Sequence, residues 1–171
     1  MNLILRNIGR FLLLMVLQVL VLNNIYLGGF ITPFLYVLFI LMLPTSLPKV
    51  AMLLIAFASG LTVDVFSNVM GFHAMAATFV AFCRITFADK ILTRGEAVTI
   101  DTPSTRSVAI GPMLFYLALM LFLFYALYFL LVYFSFHDFF RILLSALLST
   151  FFTWLLAILY QSIFIKKEHK S

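Results

Sequence analysis

Few side chains in this sequence could do chemistry, and most of them lie within apolar stretches. Asp64 sits in GLTVDVFSNVMGFHAMA (60–76), His73 follows nine residues later, Cys83 and Arg84 come next, and Arg141 stands far downstream. One carboxylate and one imidazole could relay a proton or give two ligands to a metal. A zinc site takes three or four protein ligands, and no second acid in an apolar stretch extends a relay. Cys83 is the lone cysteine, so it forms no intrachain disulfide and belongs to no cysteine cluster. There is no glycine-rich phosphate loop, no HExxH, no GxSxG and no carboxylate pair placed for acid–base work. The expectation is a protein that is not an enzyme, with no catalytic, cofactor-binding or metal-binding residues.

The elements holding these residues are apolar throughout. Of the 171 residues, 65% are hydrophobic and only 10% charged, whereas soluble domains run near 45–50% and about 25%. Apolar runs of about 20 residues recur, each long enough to cross roughly 30 Å of hydrocarbon. The net charge of +5 could suggest nucleic acid, but the cations sit at the ends of apolar runs, where topology explains them better. The first run follows Arg6 and Arg10 like a signal peptide. Phe11 to Leu22 then leads into Asn23, Asn24 and Ile25 without a small-x-small cleavage pattern, which predicts a retained helix.

Six crossings are predicted, at about 8–27, 30–47, 49–66, 72–92, 112–134 and 139–165, forming one all-α membrane domain. The second is the weakest. Its apolar stretch, Phe34 to Leu43, lies between Pro33 and Pro44 and is short enough to be re-entrant. Charge decides for a crossing: with six, Arg6, Arg10, Lys49, Lys90, Arg94, Arg106, Lys166, Lys167 and Lys170 all face the cytoplasm, and only Arg141 lies outside. Both termini are then cytoplasmic, as is the one sizeable loop, 93–111. Its polar part, 93–107, is expected to be a mobile connection or a docking segment. The outer loops, 23–29, 67–71 and 135–138, are too short for a receptor domain.

Within the crossings, small residues gather in the third (Ala51, Ala56, Ala58, Ser59, Gly60) and fourth (Ala74, Ala76, Ala77, Ala81, Ala88). Such spacings let helix backbones approach closely in lipid. Gly60 reads as a close-approach residue and Gly71 as a turn residue. Phenylalanines crowd the fifth and sixth segments, facing lipid or receiving another protein's helix. Asp64 lies roughly 22 Å beyond Lys49, near the outer end of its helix. That is the wrong end for a carboxylate, because the dipole there is negative. A partner is therefore expected, and Arg141 and His73 are the charged or titratable candidates on that side. The favoured hypothesis joins Asp64 to Arg141, with water and the headgroup layer as the alternative. Arg84 is expected to snorkel towards the inner boundary, or to meet a partner helix or an anionic headgroup.

The stretch with Gly60, Asp64, Gly71, His73, Ala74 and Ala77 resembles the central motif of the rod shape-determining MreD family, with Pro44 and Pro48 before it and Arg84 after it also similar. The likeness extends over nearly the whole chain, while the high phenylalanine content departs from the family. The resemblance implies a non-enzymatic scaffold of the bacterial elongation machinery in the inner membrane, supporting lateral peptidoglycan synthesis and rod shape. Its partners would be MreC, through that protein's transmembrane helix, and indirectly MreB, RodA and its transpeptidase. A homodimer is left open. MreD-like proteins are similar in helix number and in expected fold to the substrate-binding S components of energy-coupling-factor vitamin transporters, which supplies the alternative. Those components dock through alanines in helix one, and FLLLMVLQVLVL (11–22) has none.

Overall fold

Helices form along the apolar runs. A computed structural model of the chain describes residues 3–22, 31–92, 103, 109–133 and 139–164. Its helices are α1 (Leu3–Leu20), α2 (Val37–Leu41), α3 (Lys49–Ser67), α4 (Phe72–Leu92), α5 (Ile110–Tyr133) and α6 (Phe139–Phe164). The predicted loops 23–29, 93–107 and 135–138 lie wholly or almost wholly outside the described residues, as does the basic tail.

Three helices, Lys49–Ser67, Ile110–Tyr133 and Phe139–Ile163, are long and apolar enough to cross a membrane, and Ile8–Leu20 and Phe72–Ala88 are shorter apolar stretches. Polarity is inverted relative to a water-soluble bundle. Leu12, Val16 and Leu20 on α1, Leu54, Leu61 and Val65 on α3, and Phe151, Leu155 and Leu159 on α6 are exposed. Gln18, Ser59, Asp64, His73, Arg84, Ser145, Ser149 and Thr153 are buried. Such an outer surface suits lipid and would aggregate in water. The chain has the architecture of a helical membrane protein.

The segment expected to be a second spanning helix is different. Only the five residues Val37–Leu41 are helical, a rise of about 7.5 Å. Pro33 has no N–H to give, and Pro44 cannot follow a helical residue without clashing with the preceding turn. Between them the chain enters α2 through tight bonds from Val37, Leu38 and Phe39 to carbonyls three residues back. This segment is also deeply enclosed. Tyr36, Val37, Leu38, Ile40, Leu41 and Met42 have no exposed surface. α1, α3, α4 and α5 all contact α2.

Its direction follows from its hydrogen bonds. Gln18 binds the segment near Pro33 and Tyr36, while Arg10, eight residues earlier on α1, binds it at Met42. Residues 33–42 therefore run back along α1. They are antiparallel to α5 as well, since Tyr125 meets Thr32 and Phe34 whereas Tyr116 meets Leu41. The remaining helices pack in chain order, α3 on α4, α4 on α5 and α5 on α6. In α5, Pro112 falls in the first turn, where its missing N–H costs nothing.

Candidate functional site

The α3–α4 junction holds most of the residues singled out in the sequence. α3 ends at Asn68, left-handed at φ 53°, whose N–H returns to the carbonyl of Asp64. Gly71, at φ 82°, completes the turn, a conformation that favours glycine. The chain re-enters a helix at Phe72. Asp64 then reaches across from the last turn of α3, and its Oδ1 and Oδ2 accept the backbone N–H groups of His73 (3.0 Å) and Ala74 (2.8 Å).

The carboxylate thus caps the start of α4 from a neighbouring helix. It satisfies two N–H groups that have no partner within α4 and places negative charge at the positive end of that helix. Gly60, one turn before Asp64, makes the contact sterically feasible. A Cβ there would lie 2.5 Å from the carbonyl oxygen of His73 and 2.6 Å from the Cα of Ala74. Ala77, fully buried, continues the packed face of α4 one turn further on. Gly60, Asp64, Gly71, His73 and Ala77 form one clasp.

The expected Asp64–Arg141 pair is not formed. Both carboxylate oxygens serve the α4 backbone, and the Arg141 guanidinium lies 5.1 Å from the centroid of the Tyr133 ring. Proximity to the wrong end of α3 suggested a cation. The stronger attraction is to the adjacent free end of α4, where two hydrogen bonds accompany the favourable dipole. His73 does join Asp64, through its backbone N–H. Its ring is buried against Phe34, Tyr36, Phe124 and Tyr128, with Nδ1 3.3 Å from the Tyr36 hydroxyl.

Arg84 lies elsewhere and does not snorkel. It is 2% exposed, its Nη1 donates to the sulfur of Met52 (2.7 Å), its Nη2 donates to the carbonyl of Leu43, and its Nε has no acceptor. The Leu43 carbonyl at the broken end of the 34–43 segment and the Met52 sulfur hold the guanidinium inside the bundle.

A second set of polar residues was not anticipated from the sequence. At the start of the central segment, Gln18 donates to the carbonyl of Pro33 (3.1 Å) and accepts the N–H of Tyr36 (3.4 Å). The Tyr125 hydroxyl donates to the carbonyl of Thr32 (2.8 Å), accepts the N–H of Phe34 (2.7 Å) and shares a hydrogen bond with Thr153 (2.6 Å). Ser149 accepts the N–H of Thr32 at 3.1 Å. At the other end, Tyr116, Arg10 and Arg84 donate to the successive carbonyls of Leu41, Met42 and Leu43. Non-helical backbone is tolerated at membrane depth only where protein groups replace water. Here side chains of α1, α4, α5 and α6 do so.

Chemically, most of these groups hold backbone. Among the described residues, no three of His, Cys, Asp and Glu come close enough together to hold a metal. Comparison with protein-family models, with curated proteins and with solved structures finds no match to this chain.

Proposed function

We propose that this chain is a non-enzymatic, multi-pass scaffold in a bacterial inner membrane, a member of the MreD-like class that helps organise lateral peptidoglycan synthesis and rod shape. The carrying observation is the clasp. The residues on which the resemblance rests, Gly60, Asp64, Gly71, His73 and Ala77, belong to one structural unit that locks α3 to α4. A motif devoted to architecture suits a protein whose work is to present surfaces to associates.

In this reading the chain makes six passes, with the short central segment serving as the second, and both termini lie in the cytoplasm. Antiparallel alignment of residues 33–42 with α1 supports that path, as does the clustering of basic residues on one side. The body receives the transmembrane helix of MreC and connects through it to MreB, RodA and its transpeptidase. The test is co-purification with MreC from membranes under mild detergent. Stable association at defined stoichiometry supports the scaffold, and clean separation opposes it.

The S-component reading requires free polar groups to hold a vitamin. The use of Gln18, Tyr125, Ser149, Tyr116, Arg10 and Arg84 to hold the broken segment's backbone weighs against it, as does the lack of alanine in 11–22. Thermal stabilisation of the purified protein by a vitamin would favour that alternative.

A further inference from the structure

At the end of the bundle opposite the clasp, positive charge accumulates beneath an exposed turn. Arg84 is buried, and its guanidinium has only neutral acceptors, the Leu43 carbonyl and the Met52 sulfur, with Nε unsatisfied. No carboxylate pairs with it among the described residues. Arg10 donates to the adjacent carbonyl of Met42, so two guanidinium groups converge on two successive peptide units. The chain then passes through Thr45, Ser46 and Pro48, all exposed, into the first turn of α3. Pro48 gives that helix no side-chain cap. Lys49, at the first helical position, is exposed and makes no ion pair among the described residues. Met52, which accepts from Arg84, is three residues further on, so the buried Arg84 guanidinium reaches the first turn of α3 from inside the bundle.

A buried cation without a counter-ion is costly, and in low dielectric its field reaches several ångströms further than in water. The positive end of the α3 dipole and the Lys49 ammonium add to that field at one surface spot. Basic pockets between transmembrane helices at a membrane interface are suited to anionic headgroups. We infer that the turn 45–50 is a binding site for the headgroup phosphate of an anionic phospholipid, contacted by Lys49 and the α3 N-terminus and neutralising Arg84 from above. The site needs only a membrane-embedded bundle and is independent of any scaffold partner.

The experiment measures the melting temperature of the full chain in bicelles of phosphatidylcholine, with or without 30% phosphatidylglycerol, and separately with millimolar inorganic phosphate. The anionic lipid is expected to raise the wild-type melting temperature by several degrees, less so at high salt, with no increment from inorganic phosphate. K49Q should lose most of the increment while melting normally in phosphatidylcholine, and K49R should retain it. R84K should keep it and R84Q should lose it; if R84Q does not fold, the Lys49 pair carries the test. Equal melting in the two lipids, an undiminished increment in K49Q, or equal stabilisation by inorganic phosphate would overturn the lipid site.

Discussion

Asp64 shows how a single carboxylate can be stabilised at membrane depth without a cation. Two short N–H bonds and a helix dipole replace the ion pair that sequence position suggested. Replacement by Ala leaves both α4 N–H groups unsatisfied, and the expected loss is about 1–3 kcal/mol for each buried group so orphaned. Asn retains one acceptor and should cost less. Because Arg141 is engaged with Tyr133, the D64A and R141A effects should add in a double-mutant cycle in detergent; strong coupling would restore the ion pair. G60A tests the same clasp sterically. Its methyl group meets backbone that cannot move aside as a side chain could, so a loss of about 1–3 kcal/mol is expected from overpacking. Combined with D64A, the loss should be less than the sum, since both changes release the same turn of α4. Unfolding midpoints in a denaturant series would check each value.

Among the elements, the 34–43 segment departs furthest from sequence expectation. The apolar runs, the small-residue seam between α3 and α4 and the α3–α4 turn were legible, because run length, the small residues, Gly60 and Gly71 leave direct marks in the sequence. The collapse of the second crossing to five helical residues was signalled by Pro33 and Pro44. Yet charge bookkeeping alone could not tell a spanning helix from a short broken segment. The supporting residues were harder to see, because Gln18, Tyr116, Tyr125, Ser149 and Thr153 are distributed over three helices and meet only after folding. A partial signal existed in the four-residue spacing of Ser145, Ser149 and Thr153 on α6. Their role predicts that Y125F and Q18L each destabilise the bundle by about 1–3 kcal/mol, although both substitutions make the chain more apolar. Their effects should be coupled, since Tyr125 and Gln18 support the same turn around Pro33. Neutral or stabilising outcomes would mean that the segment does not depend on these bonds.

Across the described residues, many large apolar side chains face outward while several buried polar side chains serve an enclosed stretch of backbone. The proposed six-pass topology would place the turn around Thr45 and the turn around Met70 on opposite faces of the membrane. T45C and M70C, both at exposed positions, should be labelled by impermeant maleimide from opposite sides of intact vesicles. The native Cys83 is buried and contributes little background. The most direct measurement is amide hydrogen exchange of the full chain in nanodiscs. Peptides covering 34–43 are expected to exchange as slowly as the interior of α5, while the exposed Thr45 and Ser46 exchange fast, and Y125F should accelerate exchange around 32–38. Rapid exchange of 34–43 in the wild-type protein would contradict the enclosed, side-chain-supported segment on which the architecture depends.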